Sequence, residues 1–355
     1  MEQKMSRRYL CLAIVVAALP SFAAAQTAGS IPRPAGKSWK MPRTADGKPD
    51  FQGVWSNNNA TPVERPQELA SHPVLSDEEV SLMRKKAVEL YNGKGDAAFG
   101  DTIFGTVWAA VKGGSVGPHV KADDEFDAGT GDYSSEWIVQ RDWDNRTSLV
   151  TTPDGRIPAW TPEALARRKT AGAALAAAAA GPEDRGLSER CISYGSPQLT
   201  AGYQSYYQIM QTSKAVIFET EMIHDARNIL LDGSPHAPSA IRQWHGDSRG
   251  HWEGDTLVVD TVNYLPRAFM SASTEKLHVS ERFTLTSPDV LQYAINIDDS
   301  GTWTKPWSMM IPLRRSDHPV FEYACHEGNI GLAGILSGAR QQEQAAAATA
   351  TPQPK

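Results

Sequence analysis

The short signatures that most directly name a chemistry are missing from this sequence. It has no phosphate loop, dinucleotide fingerprint, CxxCH haem attachment or HExxH metal helix. Those absences argue against ATP, NAD and covalent-haem chemistry, and no cofactor is expected. Basic clusters are missing too. Lys and Arg number 35 against 41 Asp and Glu, a net charge of −6, which disfavours nucleic acid and anionic membrane surfaces as partners. Beyond the first residues no apolar run reaches the roughly 20 residues of a membrane span. Cysteine is scarce, with three in 355 residues.

What is present begins with an address. MEQKMSRRYLCLAIVVAALPSFAAAQ has a basic start (Lys4, Arg7, Arg8), an apolar stretch, and Ala23, Ala24 and Ala25 before Gln26. That is the layout of a cleaved secretory signal over residues 1–25. Its removal takes away a net +2, leaving −8 on the mature chain, and predicts a periplasmic or secreted protein. It also removes Cys11, leaving Cys191 and Cys325. In an oxidising compartment these two are expected to form a disulfide.

Residues 26–190 read as an N-terminal region of arm, two helices and short strands. Phe51–Trp55 is a short strand. Ser76 and Glu79 form a capping box, with Leu75 poised to staple onto Val80, so a helix should run to about Tyr91. Residues 93–132, rich in glycine and charge, read as an irregular excursion. Trp137–Val150 reads as two strands turning at Asp144-Asn145. Thr161-Pro162-Glu163 opens a second helix that runs into an alanine-rich stretch. The tail, residues 338–355, is low in complexity and reads as disordered.

Between them, residues 191–337 hold short alternating segments near 204–211, 215–223, 227–231, 241–245, 251–262, 277–285, 289–297, 307–313 and 320–326. No helical pattern interrupts them, which favours a mainly β fold. Such a run predicts an antiparallel barrel around a ligand cavity, with a sandwich as the alternative.

Several motifs resemble those of a large, poorly characterised family of secreted bacterial proteins: RTADGKPDFQGVWS, RTSLVTTPDGRIP, EMIHDARNILLDG, GHWEGDTLVVDT, ERFT, TWTKPW and EYACHEGN. They cover nearly the whole mature chain in this order. The resemblance implies an exported protein with a lipocalin-like barrel and transfers no residue role.

Two segments put an ionisable residue in register with an apolar face: His224 after Val216, Phe218, Thr220 and Met222, and Glu281 among Leu277, Val279, Phe283 and Leu285. Period-two alternation aims both inward. A charge there is costly unless paired, so the two make a candidate catalytic pair, with Arg227 or Arg242 near enough to stabilise negative charge. The competing reading is a core histidine and a structural ion pair. Trp244, His245, Tyr323 and His326 are candidates for substrate contact. His245, Asp247 and His251 also carry metal-ligating atoms, but at a spacing that matches no standard site, so no metal is expected. Trp303 and Trp307 read as an aromatic plug or a stacking platform.

The expected function is an exported enzyme doing acid/base chemistry of lyase, hydratase or isomerase type on a small apolar or carbohydrate-like substrate. The alternative is a non-catalytic, lipocalin-like small-molecule binding protein.

Overall fold

Apolar and polar residues alternate along nine strands, and the apolar face of each turns into a closed barrel. The structure, a computed structural model, describes residues 39–90, 102–114, 141–199, 201–270 and 272–350. The leader, most of the arm, much of the 93–132 excursion and the start of the Trp137 segment lie outside the described residues.

The strands are β1 (Gly53–Ser56), β2 (Tyr206–Gln211), β3 (Ala215–Thr220), β4 (Ala226–Leu230), β5 (Asp247–Glu253), β6 (Thr256–Val262), β7 (His278–Ser287), β8 (Val290–Asp298) and β9 (Trp307–Ser316). Neighbours pair antiparallel except β4 and β5, which run parallel. That exception follows from the long connection after Leu230, which crosses back before β5 begins. His236 clasps this crossover to the sheet, one ring nitrogen on Asp247 at 3.0 Å and the other on Asp260 at 2.9 Å.

The barrel closes through β1, which pairs with β2 on one side and β9 on the other. The Phe51–Trp55 segment is therefore part of the barrel although it lies far upstream of the remaining strands. Segment 251–262 is two strands turning at Gly254. Residues 241–245 form no strand: Gln243 makes an isolated bridge to Tyr264, and Trp244-His245 lie in a turn. Residues 320–324 carry no regular structure, and residues 141–150 contribute isolated bridges.

Inward positions fill the barrel: Ile209, Val216, Ile229, Leu257, Val259, Val279, Phe283, Ile295, Ile297, Met309 and Ile311 are all buried. Trp303 and Trp307, with ring centroids 5.5 Å apart, plug the end where β8 finishes and β9 starts. Described residues between Ala60 and Trp143 form a second, smaller core, while Leu149 and Val150 join the core of the barrel.

Helix α1 (Asp77–Leu90) begins with the expected reciprocal cap. Ser76 Oγ accepts from the Glu79 N–H at 3.1 Å, and Glu79 accepts from the Ser76 N–H at 2.9 Å. A cap of this kind contributes about 1 kcal/mol. Leu75 and Val80 are both buried in this second core. A helix absent from the sequence reading, α2 (Thr102–Val111), inserts Ile103, Phe104, Val107 and Trp108 beside them. Helix α3 (Pro162–Ala176) starts at Thr161, whose side chain accepts from the Ala164 N–H.

The tail departs from expectation. Ile330–Ala350 is a helix, α4; its second half, with Ala345–Ala348 and Ala350, has the highest helix propensity, while the three glycines fall in its first half. The expected disulfide is present: Cys191 and Cys325 are bonded with Cα atoms 5.7 Å apart, across a separation of 134 residues. In the chain-entropy account a loop of that length is worth about 5 kcal/mol. Among the described residues no helix is long and apolar enough to cross a membrane.

Candidate functional site

Glu281 faces the barrel interior from β7 and is fully buried. A carboxylate there needs partners, and two residues give it three hydrogen bonds. Arg227, facing inward from β4, grips it with two hydrogen bonds of 2.7 and 2.9 Å. The Tyr293 hydroxyl, facing inward from β8, donates to the same carboxylate at 2.5 Å. Burial pulls the Arg227 guanidinium down, but the adjacent Glu281 charge outweighs it and holds Arg227 above its ordinary range, so it stays charged. Burial first, and the Glu281 charge second, push the Tyr293 phenol well above its usual value. Tyr293 is therefore a neutral donor.

Above this floor lies a small cavity of about 40 Å³ that opens at its mouth to solvent. Its walls are mainly aromatic. Phe283 stacks on Tyr293 with centroids 4.4 Å apart and planes 12° apart, and Phe218 sits 4.7 Å from Phe283. Tyr207 and Leu313 complete the apolar lining, and residues 195–198 cross the mouth.

His245 and Asp225 also line the cavity. His245 Nε2 lies 3.2 Å from Asp225 Oδ1. A carboxylate can only accept, so Nε2 carries the hydrogen and neutral His245 keeps Nδ1 as its acceptor. Asp225 is itself held: its other oxygen accepts from Ser193 Oγ at 3.0 Å and the Tyr194 N–H at 3.2 Å. These two residues follow Cys191, so the disulfide anchors the segment that orients Asp225. Gly246 makes the turn after His245 with φ +67°, where a Cβ would lie 2.7 Å from the Val262 carbonyl oxygen. Any side chain at 246 would push His245 off its place.

The structure separates the residues that the sequence reading grouped. His224 does not face the interior with Glu281. Strand β3 ends at Thr220, and the chain then turns through Ile223 (φ 60°) and His224 (φ 46°), so the alternation cannot be carried past Thr220. His224 is exposed, and its Nδ1 donates to the Tyr323 carbonyl at 3.1 Å. That bond holds the strap before Cys325 instead of reaching a substrate. Arg242 donates to the carbonyls of Glu275 (3.0 Å) and Tyr264 (3.4 Å), not to the cavity. Trp244 packs half-buried against the barrel core, and His326 is exposed.

His245, Asp247 and His251 do not converge either. They pair with Asp225, with His236 and Arg249, and with Glu253 respectively. Among the described residues no group of three metal-ligating side chains is arranged around one point. Of the sequence candidates, the cavity brings together Arg227 and His245 above buried Glu281.

Asp225, Tyr293 and residues 195–198 were missed. Tyr293 carried a readable signal, since it shares the inward parity of Leu291, Ile295 and Ile297. Asp225 reads in sequence only as the neighbour of His224. No protein-family model, curated protein or solved structure matches this chain.

Proposed function

We propose that this protein is an exported acid/base enzyme that takes a small apolar molecule into the barrel cavity and moves a proton with His245. The reaction class is lyase, hydratase or isomerase chemistry that needs no bound cofactor. One observation carries the reading: an imidazole whose tautomer is set by a held carboxylate opens onto an aromatic-walled cavity. In that arrangement His245 Nδ1 is the base, Asp225 positions the ring and steadies its charged form, and Arg227 faces the negative charge that develops on the substrate. Glu281 serves as the counter-ion of Arg227, because its oxygens are already engaged. Aromatic walls favour an apolar substrate over a sugar. The disulfide supports export, since such bonds persist in oxidising compartments.

The test is solvent deuterium uptake. Incubating the protein in D₂O with one-ring compounds bearing an acidic C–H should give uptake readable by NMR. His245→Asn should slow it by roughly 10²–10⁴-fold, whereas His224→Asn should leave it unchanged. Uptake indifferent to His245→Asn would sink the enzyme reading.

A second reading, a lipocalin-like binding protein, is favoured by the mutual saturation of Glu281 with Arg227 and Tyr293. It leaves His245 as a ligand contact, and His245→Asn would then change affinity alone.

A further inference from the structure

The charge and donor balance of the cavity narrows what it can hold. Arg227 has five N–H groups, of which two go to Glu281. The other three meet no acceptor among the described residues, although Arg227 lines the cavity and its side chain is only 10% exposed. No Arg227 nitrogen is buried without a partner, so its unfilled N–H groups are open to the cavity, where a ligand oxygen can accept from them. That oxygen should not bring a full negative charge. Arg227 is already neutralised by Glu281, and Asp225 adds a further negative charge at the mouth. With His245 neutral, the site carries one net negative charge before any ligand enters. A carboxylate seated on Arg227 would lie beside Glu281 and be repelled by both carboxylates.

We infer that the ligand is a neutral, flat, carbonyl-bearing molecule, its oxygen accepting from Arg227 and its ring lying against Phe218, Phe283 and Tyr293. This rests on the cavity being the working site, as proposed above. It also supplies a balanced reaction. His245 Nδ1 takes a proton from the carbon next to the carbonyl, and the C–H electron pair becomes the enolate C=C bond. The carbonyl π pair moves to the oxygen, where Arg227 holds it. Return of the proton to the same or a conjugated carbon gives exchange or isomerisation, with no oxidant or reductant.

Three probes of one size separate the possibilities: acetophenone (neutral carbonyl), benzoate (anion) and ethylbenzene (no acceptor). Titrations of the intact protein at pH 8 should show acetophenone binding at least ten-fold more tightly than the other two. Removing both charges together, Arg227→Met with Glu281→Leu, avoids stranding a buried ion and should lower acetophenone to the level of ethylbenzene. Benzoate binding as tightly as acetophenone would overturn the inference. So would equal binding of ethylbenzene, no acetophenone binding up to its solubility, or discrimination that survives in a folded double variant. The wild-type ranking decides the matter even if that variant does not fold. The enzyme reading fails separately: an intact ranking with no His245-dependent deuterium uptake would leave the ligand class standing without the reaction.

Discussion

Arg146–Asp144 and Arg227–Glu281 are both buried arginine–carboxylate pairs, yet they are built for different ends. Arg146 directs Nε and Nη2 to Asp144 at 3.2 and 3.0 Å and Nη1 to the Met310 carbonyl at 3.0 Å. Asp144 in turn accepts from Asn59, Thr61 and the Arg146 backbone N–H. The guanidinium thus ties residues 59–61 and 144–146 to β9. Arg227 holds its carboxylate with two bonds and has three donors left, facing a cavity. Arg146 uses three of its five donors and Arg227 two. What separates them is that Arg146 also bonds a β9 carbonyl and so acts as a tie, whereas Arg227 lines a cavity where a ligand can accept from it.

The largest effect that could break this contrast is on stability. Arg146→Met strands a buried carboxylate and should cost about 3–5 kcal/mol, read as a fall in the denaturant midpoint. The acetophenone ranking should survive in whatever fraction remains folded. If that ranking vanished with a folded protein, the division between tie and site would be wrong.

The acid limb of stability gives a smaller, directional effect. Burial acts to raise the Asp144 carboxyl, but the Arg146 charge and the hydrogen bonds it receives outweigh this and hold it below its ordinary range. A carboxyl depressed by folding contributes stability that is complete above its unfolded value near pH 4 and is lost as pH falls through the folded value. Asp144→Asn should therefore lower stability at pH 7 and flatten the decline below about pH 4. Thermal melts from pH 7 to 3 would show it, and a parallel decline in both proteins would refute it.

The same two pairs show what a sequence can disclose. Glu281 was legible because β7 keeps strict alternation from His278 to Leu285. The Ser76–Glu79 cap was legible because all of its chemistry lies within four residues. The Cys191–Cys325 bond followed from compartment and count. His224 misled because the pattern Val216, Phe218, Thr220 runs one step too far: the strand stops where Glu221 adopts a helical conformation, and nothing local announces that turn. The His245–Asp225 contact was hidden because it spans the crossover that makes β4 and β5 parallel. Its geometry also depends on Ser193 and Tyr194, which come from a loop placed by a distant disulfide. The role of β1 in closing the barrel was hidden by its distance along the chain from β2. Short-range chemistry is written locally; a site assembled from six strands and three loop segments is not.

Glu221 extends the comparison to a buried carboxylate with no arginine at all. It sits just past β3, 1% exposed. Oε2 accepts from the Phe321 N–H at 3.1 Å, and Oε1 meets no partner among the described residues. Burial is the dominant influence and raises its pKa, only partly opposed by the Phe321 bond. The sign is then opposite to that of Asp144. A carboxyl raised by folding subtracts stability above its folded value, and the penalty disappears as pH falls to the unfolded value near 4. Glu221→Gln keeps an oxygen for Phe321 and removes the charge. It should stabilise the protein at pH 8 by about 1 kcal/mol, a Tm rise of about 2–4 °C, and do nothing at pH 4. A loss of stability at pH 8 would mean that the charge itself holds the strap between β9 and Cys325, so that a lone backbone N–H can do for Glu221 what a guanidinium does for Glu281.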